Sequence, residues 1–166
     1  MKTIDDLFMH FLQDIYYAER QLLKALPKMA KGAQESSLKE AFTSHRTETE
    51  HQIERLEQVF EKMGKRPKAI PCEAIKGLIE ETEEVLEESD AGAVRDAGLI
   101  ACGQAVEHYE MARYGALIAW AQAGGHDEVV SLLQQTLNEE KKADSLLNEL
   151  AVSRINKSAA TLKKAA

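Results

Sequence analysis

The stretch from Ala93 to Ala123, AVRDAGLIACGQAVEHYEMARYGALIAWAQA, is apolar on nearly every side of a helix and carries two acids, Glu107 and Glu110, near its middle. A helix without a polar face belongs deep inside a helical domain. Gly124 and Gly125 close it. The series Gly103, Glu107, Glu110, Tyr114, Leu117 advances by alternating steps of four and three, so both acids share one face with Tyr114. Burying a carboxylate costs several kcal/mol unless something positive meets it. Partners for them at the same level must therefore come from the rest of the chain.

Upstream, residues 3–31 place Phe8, Leu12, Ile15, Leu22, Leu26 and Met29 on a helical stripe, with Thr3, Asp5 and Asp6 at the capped, positive end. The step from Ile15 to Leu22 passes through Glu19, which faces the same way. A second helix over 36–63 carries Leu38, Phe42, Leu56, Val59 and Met63, with Gly64 as its stop. Its stripe is interrupted by His45, Thr49 and Gln52, with Glu48 at the edge. Pro67 and Pro71 then precede a shorter amphipathic helix over 73–88. Downstream, residues 127–155 carry Val130, Leu133, Leu137, Leu147 and Ala151, interrupted by Glu140 and Asp144. Hairpin, long connection, hairpin is the topology of a ferritin-like four-helix bundle whose crossover contains an extra helix. Residues 1–156 are expected to form this all-α bundle, and residues 157–166 a disordered basic tail.

A helix rises about 1.5 Å per residue, so sequence position converts to height along the bundle. Glu19, Glu48, Glu107, Glu110 and Glu140 all fall near the middle of their own helices and should share one layer. Arg95 and Arg113 point away from Glu107, and no lysine interrupts an inward stripe there. Two divalent metal ions, iron first and manganese second, fit a donor set of carboxylates and one imidazole. The expected ligands are Glu19, His45, Glu48, Glu107, Glu110, Glu140 and Asp144, with Gln52 and Tyr114 supporting them. Six carboxylates exceed the four positive charges of two divalent ions, and Asp144, farthest out of register, is the one expected to stand back or hold a proton. His51 completes a Glu-x-x-His with Glu48 but projects off the stripe, so His45 is preferred. His10 and His126 lie too far from the layer.

At 166 residues, 44% hydrophobic and 30% charged, with three prolines and nine glycines, the chain fits one helical domain. A net charge of −7 argues against nucleic acid and anionic membranes as partners. The acidic start and the lack of a long apolar run point to a cytoplasmic protein. Cys72 and Cys102 read as reduced thiols, and Tyr109, Tyr114 and Trp120 as core.

Several stretches together resemble the YciF family of bacterial ferritin-like proteins over nearly all of residues 3–155. They are Leu12-x-Asp14-x-Tyr16-x-Ala18-Glu19-x-Gln21-Leu22, His45-x-x-Glu48-Thr49-x-x-Gln52-Ile53, Cys72-Glu73-Ala74 with Gly77-Leu78-Ile79-Glu80-Glu81, Val106-Glu107-His108-Tyr109-Glu110, and Glu139-Glu140-Lys141 with Asp144. The resemblance implies a five-helix fold, a di-iron or related site, homodimers and a link to bacterial stress responses. The chain departs from the wider di-iron pattern at Ala143, where a second Glu-x-x-His would place its histidine. The leading expectation is an oxidoreductase or metal-oxidation protein acting on oxygen or peroxide and supplied by an external reductant. Metal storage or buffering, and a non-catalytic dimeric scaffold, are its rivals.

Overall fold

The computed structural model describes residues 1–162. Its helices are α1 (Ile4–Gly32), α2 (Ser36–Lys62), α3 (Glu73–Glu88), α4 (Ala93–Ala123), α5 (Asp127–Leu150) and α6 (Asn156–Thr161), and among the described residues every regular element is helical. The start of α1 is a capping box: Thr3 Oγ1 accepts the Asp6 amide at 3.0 Å, and Asp6 Oδ2 accepts the Thr3 amide at 3.2 Å. Gly64 and Gly125 adopt left-handed φ of 67° and 75°, which lets the chain turn back as Lys65 N–H reaches Phe60 O and His126 N–H reaches Ala121 O.

Helix α1 packs on α2 and α4, and α5 packs on α4 and α2, giving a ring of four. Cross-helix contacts such as Lys62 with Glu128, and His126 just past α4 with Asp5 at the start of α1, show that ring neighbours run antiparallel. That leaves α2 and α4 parallel across the ring, so the chain must travel the bundle's length between them. Helix α3 makes this crossover against α1 and α4, with Ile75 in one core cluster and Val85 and Leu86 against the other.

The apolar core is in two parts. One cluster is built on Phe8, Leu12, Ile15, Leu56, Phe60, Tyr114, Leu117 and Leu133. The other is built on Leu26, Met29, Leu38, Phe42, Leu99, Ile100, Leu147 and Ile155. Between them the same helices present Glu19, His45, Glu107, Glu110 and Glu140, all buried. The hydrophobic effect thus holds the bundle from both ends, and its waist is polar.

The last helix differs from the expected run over 127–155. Helix α5 ends at Leu150, a π-helical turn follows over Ala151–Ile155, and α6 continues to Thr161. The wider turn re-phases the chain so that Ala151 and Ile155 both stay in the core. The expected disordered tail is corrected accordingly: residues 157–161 are helical, anchored by Ile155 just before them, while residues 163–166 lie outside the described residues. Trp120 and Tyr109 are only partly buried, whereas Tyr114 is wholly so.

Helix α2 lacks a side-chain cap of its own. Asp96 of α4, itself 2% exposed, accepts the amides of Gln34 and Glu35 at 2.7 and 2.8 Å and takes that role. Removing it strands two donors at a positive helix end. An Asp96→Ala variant is expected to lose about 2–4 kcal/mol in urea denaturation, with Asp96→Asn losing less; an unchanged midpoint in both would refute this role.

Candidate metal centre

The site is assembled from one or two residues per long helix, each placed by the stripe that buries its neighbours. Glu19 follows Ile15 by four on α1, His45 follows Phe42 by three on α2, Glu107 and Glu110 sit within the apolar α4, and Glu140 follows Leu137 by three on α5. Four of these, His45, Glu107, Glu110 and Glu140, each offer a ligand atom within 4.8 Å of all the others. His45 Nε2 lies 3.3 Å from Glu107 Oε1 and 3.7 Å from Glu140 Oε2. Tyr114 donates its hydroxyl proton to Glu19 Oε1.

Most of the oxygens in this layer have nothing to bond to. Among the described residues, Glu19 Oε2, Glu107 Oε2, both oxygens of Glu110 and both of Glu140 are buried without a hydrogen-bond partner. Native proteins leave few such atoms, and each costs about 1–3 kcal/mol or more when charged. Burial accordingly drives the acids toward their protonated forms. Glu19 is pushed up to about 7, chiefly by burial, with the Tyr114 hydrogen bond and His45 opposing. Burial, then the neighbouring carboxylates, raise Glu110 and Glu140 well above the usual carboxylate range, and burial raises Glu107. For His45, burial disfavours the charged ring, but Glu107 together with Glu48 and Glu19 more than offsets it and the value rises.

The other expected residues take different places. Glu48 stands at the rim, its side chain 44% exposed and Oε2 3.4 Å from His45 Nδ1. Asp144 lies one turn beyond Glu140: its Oδ1 accepts from Gln104 at 2.9 Å and lies 3.3 Å from His108 Nε2. His51 is exposed, so the imidazole facing the layer is that of His45. Gln52 is fully buried and donates to Glu139 at 3.2 Å, away from the acids of the layer.

One group was not anticipated. Arg55, 9% exposed, donates to Glu139 Oε1 at 2.7 Å and to Thr136 on α5, and its charge favours the ionised forms of Glu19 and Glu48. The signal was present, since Arg55 follows Gln52 by three on the inward face. Because Glu139 pairs with it, Arg55 does not balance the buried acids.

The residues present fit a metal cation: His45, Glu107, Glu110 and Glu140 bring donor atoms within 4.8 Å of one another, and Glu19 adds a fourth buried carboxylate. Carboxylate oxygens with one imidazole suit iron or manganese. A cavity of about 100 Å³ reaches His45, Glu48 and Glu107 between α2 and α5, past Ala41, Phe42, Ala143 and Leu146. No helix among the described residues is long and apolar enough to cross a membrane.

A family model described as a domain of unknown function, DUF892, matches residues 3–160. Protein YciF of Escherichia coli K12 is 47% identical over 160 residues, 96% of each chain. The solved structure of that E. coli stress protein superposes with a TM-score of 0.90, covering 95% of this chain and 99% of the other. YcfI of Rhodopseudomonas palustris, whose description assigns it an inferred structural role, is 53% identical with a TM-score of 0.86 over 89% and 94% of the two chains. A Xanthomonas campestris protein at 21% identity and a TM-score of 0.73, over 96% and 100%, shares the fold alone.

The raised acids predict how the metal-free protein responds to pH. A folded value of about 7 for Glu19, against an ordinary 4.5, means that the folded state holds a proton the unfolded state has released. Stability is then greatest below the unfolded value and falls as pH rises through the folded one. His45, also raised, acts in the same direction, while the half-exposed Glu48, lowered by His45, acts weakly against it. For chelator-treated protein the melting temperature is expected to fall between about pH 5 and pH 8, with Glu19 alone accounting for on the order of 3 kcal/mol. Stability rising across that window in metal-free protein would contradict the assignment.

Proposed function

The chain belongs to the DUF892 family of YciF-like proteins, and from its buried layer we propose that it holds two divalent cations, iron or manganese, and performs redox chemistry on dioxygen or peroxide. The observation that carries this reading is the set of four buried carboxylates beside His45, with six oxygens that have no hydrogen-bond partner among the described residues. Glu19, His45, Glu107, Glu110 and Glu140 would hold the ions, with Glu48 at the rim. Bound there, such cations would supply the electrons that reduce a small oxidant.

The chain's own residues support that chemistry in identifiable ways. Tyr114 ties down one oxygen of Glu19 and leaves the other free to bind. Glu48 engages His45 Nδ1, which directs Nε2 toward Glu107 and Glu140 and gives the ring an outlet to water for a proton. The cavity of about 100 Å³ has room for several water-sized molecules, each needing about 10–15 Å³ by this measure. Dioxygen and peroxide enter; a large organic substrate does not. The apolar stretch of its wall, Ala41, Phe42 and Leu146, limits water without blocking small uncharged oxidants.

The E. coli relative is called a stress protein, and disposal of peroxide or of free ferrous ion in the cytoplasm suits that setting. Electrons for repeated turnover come from a separate reductant, and the bundle acts as a homodimer.

Protein purified without chelators is expected to carry two equivalents of iron or manganese per chain by elemental analysis. When loaded with iron, it should consume peroxide faster than the same amount of free ferrous ion. Two equivalents with no such rate would leave a structural or buffering cation, and no bound metal at all would remove the reading.

Glu110 offers a sharper separation of stability from binding, because both of its oxygens are unpartnered. Glu110→Gln is expected to raise the metal-free melting temperature at pH 8 while lowering metal content below two. A variant that melts lower and still binds two ions would contradict it.

A further inference from the structure

Tyr109 lies between Glu107 and Glu110 in sequence, but its side chain turns away from the layer toward α1 and the start of α3. Its hydroxyl donates to Asp14 Oδ2 at 2.9 Å and sits 3.0 Å from Cys72 Sγ. A phenol has one proton. With that proton on Asp14's side, the Cys72 thiol is left to donate to the phenolic oxygen, and the three groups form one directed chain from Cys72 through Tyr109 to Asp14. Cys72 is 2% exposed and the side chain of Asp14 13%, so bulk water is largely kept from both ends. Arg113 covers the ring, its guanidinium 5.1 Å from the centroid, and its Nε is 3.9 Å from Asp14 Oδ2.

A tether between helices needs only one of these bonds. Three groups able to exchange protons, two of them oxidisable, built around an aromatic ring one residue from a buried acid of the layer, do more. With its hydroxyl bonded to Asp14 Oδ2, the phenol has a base in place to take its proton as an electron leaves.

We propose that Cys72, Tyr109 and Asp14 form a one-electron relay that feeds the layer and carries oxidising equivalents safely away from it. The inference rests on the redox reading of that layer. An oxidant formed from peroxide at the layer takes one electron from Tyr109, whose O–H bond breaks as the proton passes to Asp14 Oδ2. Cys72 then gives a hydrogen atom to the Tyr109 oxygen: the S–H bond breaks, the O–H bond reforms, and the radical resides on sulfur. One electron from an external one-electron donor such as a reduced flavin converts the thiyl radical to thiolate. Asp14 returns its proton to the Tyr109 oxygen as the phenolic proton moves to Cys72. One electron has crossed and no proton has been gained or lost by the chain of three.

Two arms test this on the full chain. In the first, metal-free protein is oxidised by a laser flash with photoexcited ruthenium tris-bipyridine and persulfate, and tyrosyl absorption is followed. Tyr109→Phe should remove the signal that Tyr16→Phe leaves, Asp14→Asn should lower its yield, and Cys72→Ser should lengthen its lifetime on the order of tenfold. Serine keeps the cap on α3, so a lifetime change is not a folding effect. A signal that survives Tyr109→Phe, or that decays identically without the thiol, overturns the relay. In the second arm, iron-loaded protein is mixed with peroxide and freeze-quenched for electron paramagnetic resonance. A tyrosyl radical that Tyr109→Phe removes is expected. Its absence in protein shown to hold two irons severs the relay from the layer and overturns the inference. Protein that takes up neither iron nor manganese instead overturns the proposed function, and the flash arm then decides the relay by itself.

Discussion

Everything in this bundle is arranged around carboxylates that four helices drive into one plane. Each helix buries its stripe for ordinary hydrophobic reasons, and the acids are carried in with the leucines on either side of them. A domain with net stability of about 5–15 kcal/mol cannot hold four unpaired buried charges. It must keep them protonated or give them cations. The directions of the acid shifts show the first response, and the unpartnered oxygens show the capacity for the second. The division of the apolar core into two clusters follows from the same layer, since the waist is the one level that the helices do not fill with hydrocarbon.

Much of this was legible because the signals were periodic. Glu19, Glu107, Glu110 and Glu140 each interrupt an apolar stripe in step with it, and helical rise alone puts them at one height. The crossover helix was legible from its length and its prolines, and the parallel pairing of α2 and α4 explains why so long a connection is needed. The choice of His45 over His51 followed from the stripe as well, and the structure places one inside and the other in water.

What was hidden depends on contacts between helices, which periodicity does not encode. Asp144 was expected to stand back, but its partners Gln104 and His108 on the facing helix were not foreseen. Arg55 follows the inward stripe but lies buried only because Glu139 and Thr136 on α5 meet it. Asp96 caps a helix sixty residues upstream in the chain. The π-turn at Ala151–Ile155 re-phases a helix whose sequence reads as continuous. Tyr109, read as a core residue, instead links three elements through Asp14 and Cys72.

The same economy connects fold to chemistry. The ring of antiparallel helices sets the acids in one layer, and the narrow opening beside His45 and Glu48 restricts what can reach them. The most direct check of the central claim is anomalous diffraction from crystals of this protein grown with manganous ion. Two peaks should lie among Glu19, His45, Glu107, Glu110 and Glu140. A layer without anomalous density, with manganese only on surface acids, would contradict the account.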